Sequence, residues 1–289
     1  ASLQGFLTYL AVPITIGLAQ MVVLSIGQMN LAVGTMGGVT CAIMAVLMAD
    51  HNVPIWLAIP IGLLSATLMG AINGALVVLT QLNGFIITLG TYTILLGFQY
   101  RLVKTFTIDK YPSSLPEFGK KAFLGFPYIL VIAIMTAVLL SLFFSRTIMG
   151  RRILATGGNP LAARLSGVSN NRSVFLAHTL SGLLIGVAAV ITIASLPGIN
   201  RSIGGDWLLA SFAAPIIGGV LMSGGTIAIY GTVIAAGVVR LVDIARAQYS
   251  LDPSIVSLSV GVVTLSTVAL SEWRRRRTER ANEGIKGVQ

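Results

Sequence analysis

The sequence predicts an all-α integral membrane protein, and three observations carry that reading. Apolar residues make up 55% of the chain and charged residues 10%, where soluble domains are about a quarter charged. Mean hydropathy is +0.89. Stretches of about 19 residues, long enough to cross hydrocarbon, recur along the chain, so about nine transmembrane helices are expected.

The spans fall at 6–27, 31–49, 54–80, 84–103, 127–145, 173–195, 207–223, 226–245 and 254–272. Several are near the lower limit of roughly 17 residues for crossing a bilayer, and the glycine-rich spans 31–49 and 207–223 are open to being broken or re-entrant. On 54–80, Ser65, Asn73 and Thr80 cluster toward one side. On 84–103, Thr88, Thr91, Tyr92 and Gln99 recur at helical spacing and share a face. Span 173–195 contains His178, whose single ring lacks the carboxylate partner that a proton relay needs. Span 226–245 ends in Arg240, Asp243 and Arg246, a snorkelling cluster or a docking patch for an external partner.

Charge sets the orientation. Loop 146–172 holds Arg146, Arg151, Arg152, Arg164 and Arg172 without an acid, and the tail beyond 272 holds Arg274–Arg277, Arg280 and Lys286. Basic loops stay in the cytoplasm. Four spans separate the two, so both lie on one side, and loop 104–126 with its four lysines is expected outside. Counting back puts residue 1 outside too, as if one more helix preceded it. No basic leader precedes the first apolar run, so no signal peptide is expected. The net charge of +10 is absorbed by these topology signals, and no stacking aromatics interleave with it, which excludes nucleic acid as a partner.

Every acid lies in a loop or near a span end: Asp50, Asp109, Glu117, Asp206, Asp243, Asp252, Glu272, Glu279 and Glu283. Ion-coupled carriers keep such charges inside the membrane. Nor does any phosphate-cradling G-x-x-x-x-G-K-[ST] occur. One cysteine and two histidines build neither a metal site nor a nucleophile–base set. So no catalytic residue, metal or cofactor is expected on this chain, and any work it does draws its energy from a partner. The neutral polar residues inside the spans, Asn30, Asn73, Thr88, Thr91, Tyr92 and Gln99, are open to two roles. They are hydrogen-bonding glue between helices or a path for an uncharged, hydroxyl-rich solute.

One stretch breaks the apolar pattern: "RRILATGGNPLAARLSGV", residues 151–168. Asn159 is a favoured N-cap, Pro160 suits the first turn, and Gly167 can end a helix in the left-handed conformation. The spacing predicts a two-turn helix from Pro160 to Ser166. It is too short to stand alone, so it rests on lipid headgroups or is received by a cytoplasmic protein.

These residues resemble the permease subunits of bacterial ABC importers for monosaccharides, the ribose-type branch of the family shared with branched-chain amino acid permeases. The likeness runs through "ATGGNPLAARLSGV", "SGLLIGVAAVI", "DWLLASFAAPIIGGVLMSGG", "IYGTVIAAGVV" and "SEWRRRR", and in the first half through "SIGQMNLAVGTMGG", "GAINGALVV" and "LNGFIITLGTYTILLG". It implies a single permease domain over 1–289: an N-terminal half, 1–103, lacking one leading helix of about ten; an inverted C-terminal half, 127–272; a cytoplasmic coupling loop, 146–172; and a basic cytoplasmic tail, 273–289. It implies that Gly157, Asn159, Pro160, Ala162, Ala163, Arg164 and Gly167 couple to a cytoplasmic ABC ATPase, where ATP and Mg would bind. Gly218, Gly219, Gly224 and Gly225 match a patterned segment whose small residues allow close packing or a bend. The implied assembly has a second permease subunit, like or homologous, and an extracellular or periplasmic solute-binding protein, in the bacterial inner membrane. Its work is import of a small neutral sugar or polyol by alternating access. Two departures bear on the solute. Asn30 stands where the family usually writes an acid, and "GGTIAIYGT" replaces the usual "GGxGS". A permease for branched-chain amino acids or nucleosides is the rival within the family, and a self-sufficient channel or secondary carrier the rival outside it.

Overall fold

The computed structural model describes residues 3–104, 107–123, 125–248, 262 and 266. In chain order its helices are α1 (Leu3–Leu24), α2 (Val33–Ala49), α3 (Ile55–Thr80), α4 (Gly84–Leu102), α5 (Ser114–Lys120), α6 (Tyr128–Arg146), α7 (Ile148–Gly158), α8 (Pro160–Leu165), α9 (Asn170–Ser195), α10 (Trp207–Ile217) and α11 (Ile229–Gln248). Two antiparallel pairs of two-residue strands complete the elements: β1 (Thr107–Ile108) with β4 (Ile199–Asn200), and β2 (Ala122–Phe123) with β3 (Phe126–Pro127).

Among the described residues, four helices are long and apolar enough to cross a membrane: Gln4–Leu24, Ile55–Thr80, Tyr128–Arg146 and Asn170–Ser195. Val33–Ala49, Trp207–Ile217 and Ile229–Leu241 are apolar but shorter. The expected span 207–223 stops being helical after Ile217, because Gly219, Gly224 and Gly225 adopt positive φ. Expected span 254–272, apart from residues 262 and 266, and the tail 273–289 lie outside the described residues, as do the side chains of Asp243 and Arg246.

Helices α1 and α9 pack against each other at the centre; α1 also packs on α10 and α11, and α9 on α2 and α3. The α3–α9 contact is made by small residues. A Cβ at Gly70 would meet the His178 carbonyl and the Gly182 backbone, and one at Gly186 would lie 3.0 Å from the Ala66 methyl. Without a side chain between them the two backbones approach closely, which is how helices gain packing contacts where lipid offers no hydrophobic drive. Outward faces stay apolar: Trp56 on α3 is 74% exposed and Ile94 on α4 is 71% exposed, as suits lipid or a partner helix.

One backbone device occurs twice. Ser25 to Gly34, "SIGQMNLAVG", and Ser195 to Gly204, "SLPGINRSIG", match position for position at Ser, Asn and the final Gly. The first interrupts the helices between α1 and α2, the second between α9 and α10. In each, the asparagine side chain accepts from the backbone two residues on: Ala32 N–H to Asn30 Oδ1 at 2.9 Å, Ser202 N–H to Asn200 Oδ1 at 3.0 Å. Gly34 and Gly204 then meet each other, and a Cβ on either would strike the other's carbonyl oxygen.

Candidate functional site

The basic loop folds into two helices. Thr147 closes α6 and caps α7, accepting from Gly150 N–H at 3.0 Å. Helix α7 turns Gly150, Ile153, Thr156 and Gly157 inward and leaves Arg151, Arg152 and Ala155 exposed. It was not visible as a span because the two arginines interrupt the apolar run. Asn159 then caps α8, accepting from Ala162 N–H at 3.0 Å, with Pro160 in the first turn. At the other end Gly167 takes φ +78, its N–H donates to the Arg164 carbonyl, and Val168 N–H donates to the Ala163 carbonyl at 2.9 Å. That pair of bonds closes a helix on a left-handed glycine. Helix α8 ends at Leu165, one residue before the expected Ser166.

Asn170, at the start of α9, fixes how α8 lies. Its amide donates to the Pro160 carbonyl at 2.9 Å and its oxygen accepts from Thr156 at 3.4 Å. Ala163 is buried against this support, while Ala162, Arg164 and two leucines face out; Leu161 is 67% exposed and Leu165 81%. Two leucines one turn apart make an apolar spot on an otherwise basic surface.

The end of α7 packs on the bundle backbone to backbone, where the α10–α11 turn meets the end of α1. Gly225 N–H donates to the Ser25 carbonyl at 2.8 Å. Gly157 fits under this bond: a Cβ there would collide with the Ser25 carbonyl oxygen and stand 2.7 Å from Gly225 N. A Cβ at Gly224 would lie 2.7 Å from Gly27 N and 2.8 Å from the Gly157 carbonyl oxygen. The end of α1, the end of α7 and the α10–α11 turn thus share one knot with no side chain between them. Gly218 packs on Gly231 in the same close manner, whereas Gly219 has nothing within 4 Å.

From the knot the chain runs into the first interrupted segment, whose exposed backbone groups must find partners away from water. Leu31 N–H donates to Thr88 Oγ1 at 3.0 Å. Gln20, with its amide turned as its neighbours require, donates to the Asn30 carbonyl at 3.0 Å and accepts from Asn30 N–H at 3.2 Å. Gln28 Oε1 lies 2.9 Å from His178 Nε2. The second segment is held from the same helix: Gln99 Nε2 donates to the carbonyls of Arg201 at 3.1 Å and Ile203 at 2.9 Å. Thr88 and Gln99, buried on one face of α4, therefore each brace one of the two interruptions.

The other polar residues singled out above fall nearby. Asn73 is buried on α3 with its amide 3.7 Å from Met36 Sδ. Thr91 donates to the Thr88 carbonyl at 3.1 Å, and Thr91 and Tyr92 are half-buried. Sequence reasoning passed over Ser25, Gly27, Thr156, Asn170, Gln20 and Gln28. Only the "SNNR" after α8 and the "GQMN" after α1 carried a signal, since polar residues flanking an apolar run are where interrupted backbone finds partners.

Apolar helices around a neutral, hydrogen-bonded polar interior, with a short capped helix standing out of a basic loop, define a multi-pass membrane protein of the permease class. The chain belongs to the family described as "Branched-chain amino acid transport system / permease component", whose model matches residues 2–268. Among curated relatives, the fructose import permease protein FrcC of Rhizobium meliloti is 29% identical over 90% of this chain and 75% of its own. The autoinducer 2 import system permease protein LsrD of Photorhabdus luminescens is 30% identical over 78% of this chain and 67% of its own. LsrD of Escherichia coli O157:H7 is 29% identical over 92% and 84%. No solved structure matches the chain.

Proposed function

We propose that this chain is the membrane-spanning subunit of an ATP-driven importer that moves a small neutral sugar or polyol into a bacterial cell across the inner membrane. The observation that carries the reading is the glycine knot. It seats the end of α7 directly against the backbone of Ser25, at the interrupted end of α1, and of Gly225, with no compressible side chain between. The names of the relatives supply the sugar-like solute.

The arginines of 146–172 place α8 in the cytoplasm. There Leu161, Leu165 and Arg164 present the surface for an ABC ATPase, which binds the ATP and Mg. Movement of that ATPase pushes α8, held by Asn159, Gly167 and Asn170, and α7 passes the displacement through Gly157 to Ser25 and Gly225. Asn30, Asn73, Thr88 and Gln99 keep the two interrupted segments in register as the bundle rocks, and Thr91 and Tyr92 border the solute path. The matched Ser25–Gly34 and Ser195–Gly204 segments support two inverted halves. A second permease subunit and an external solute-binding protein complete the assembly, and no covalent chemistry falls to this chain.

Uptake of labelled D-fructose and D-ribose into proteoliposomes carrying the full assembly tests the reading. ATP-dependent accumulation of a sugar is the expected result. Branched-chain amino acid uptake in its place would favour the rival permease, and flux from this chain alone without ATP would overturn the importer.

A further inference from the structure

At the end of the bundle away from α8, a cleft of about 320 Å³ opens between the start of α1, the end of α9 and the 200–207 turn. Its size is at the small-molecule end of binding clefts, which run from roughly 300 Å³ upward. Its chemistry is uneven in a useful way. Trp207 lines it with a ring edge fixed against Gly37, where no side chain intervenes. Asp206 lines it at the N-cap position of α10, yet its carboxylate caps nothing and is exposed.

The remaining polar lining adds donors as well as acceptors, since Asn200 and Ser202 bring an amide and a hydroxyl. The hydroxyls of Thr8, Thr192 and Ser195 already donate to carbonyls of their own helices, at 2.8, 2.7 and 2.6 Å, so each offers its oxygen as an acceptor. A cleft that offers acceptors and donors together suits a ligand whose groups both donate and accept, a set of hydroxyls. The Arg240 guanidinium lies 5.0 Å from the ring centre of Tyr9 on the cleft wall. That positive charge behind the Tyr9 wall disfavours a bound cation.

The matched segment at the other end shows that this equipment is not needed to build the turn. There the asparagine and glycine are kept, but Met36 and Gly37 stand where this end has Asp206 and Trp207. The indole packs on Gly37, but the carboxylate, present at one end only, makes no capping bond in the turn and answers to a ligand.

We propose that the cleft binds one neutral, hydroxyl-rich molecule of monosaccharide size. Asp206 accepts from adjacent hydroxyls, and Trp207 packs on the ligand's C–H face. The ligand class rests on the sugar-importer reading, while the site rests on the geometry. On the way in, this cleft would hold solute outside the central path.

Saturation-transfer NMR on the permease–ATPase complex in nanodiscs, without the external solute-binding protein and with D-fructose and D-ribose as probes, tests the site. Wild type should transfer saturation to at least one sugar. Asp206→Asn should weaken that binding about ten-fold, the scale of one hydrogen bond to a charged group. It should raise the uptake KM by a similar factor. Asp206 makes no side-chain hydrogen bond among the described residues, so the variant keeps its fold; Trp207→Leu is the second probe. An importer that accumulates a sugar yet binds it equally well in wild type and both variants overturns the site. An assembly that neither imports nor binds any sugar overturns the importer reading, and with it the ligand assigned here.

Discussion

Replacing Gly157 by alanine tests the mechanical link most sharply, because the structure offers the added methyl no place to go. Its carbon would run into the Ser25 carbonyl oxygen and stand 2.7 Å from Gly225 N and 2.8 Å from Ser25 C. All three are backbone atoms, so no rotamer change relieves the contact. Overpacking of this kind costs about 1–3 kcal/mol. Moving apart also strains the 2.8 Å bond from Gly225 to Ser25, worth about 1 kcal/mol. The sum, about 2–4 kcal/mol, corresponds to a change of roughly 30-fold or more in whichever equilibrium depends on the knot. Gly158→Ala is the matched control, since a Cβ there meets only Gly225 Cα at an ordinary 3.7 Å. In proteoliposomes holding the full assembly, Gly157→Ala should hydrolyse ATP with greatly reduced sugar uptake, and Gly158→Ala should resemble wild type. Wild-type coupling and thermal stability in Gly157→Ala would refute the reasoning.

Three further outcomes follow from neighbouring features. Asn159→Ala removes the cap on Ala162 N–H and should cost α8 about 1 kcal/mol, read as a lower uptake rate per ATP hydrolysed; unchanged coupling would count against a rigid α8. Gln28→Ala removes the 2.9 Å partner of His178 Nε2, while the ring's Nδ1 already has none among the described residues. The purified protein should lose about 1–3 kcal/mol of stability, and an unchanged melting curve would contradict that role. Burial pushes the Tyr111 phenol, which donates to the Leu196 carbonyl, up to about 12, with nearby Cys41 and Asp109 adding to it. The folded state therefore holds this proton more tightly than the unfolded one. Its contribution is complete below about pH 10 and is lost as pH rises through 12, so Tyr111→Phe should flatten the stability profile in that window, and matching profiles would argue otherwise.

The apolar helices were legible because hydropathy is a local property, and α8 was legible because its cap, proline and terminal glycine lie within nine residues of one another. The interruptions were harder. Nothing within "SIGQMNLAVG" reveals that Thr88 and Gln20 satisfy its backbone, since those partners are brought in by packing. For the same reason Thr88 and Gln99 read equally as glue or as path until their acceptors and donors were in place. Helix α7 was hidden by Arg151 and Arg152, which point out of the bundle while Ile153 and Gly157 point in. Gly157 itself looked like one member of an unremarkable "TGG"; only the carbonyl above it distinguishes it from Gly158.

Coupling requires α8 to touch the ATPase, and one measurement addresses that contact directly. Cys41, the sole cysteine of the chain, is fully buried, so a cysteine placed at Leu161 or Leu165 would be the one accessible thiol of this subunit. In the assembled importer, a short reagent that is thiol-reactive at one end and photoreactive at the other should join either position to the ATPase, with a yield that changes when ATP is bound. If both positions react freely with a soluble thiol probe in the full assembly and neither is ever joined to the ATPase, helix α8 is not the lever and the proposed coupling is wrong.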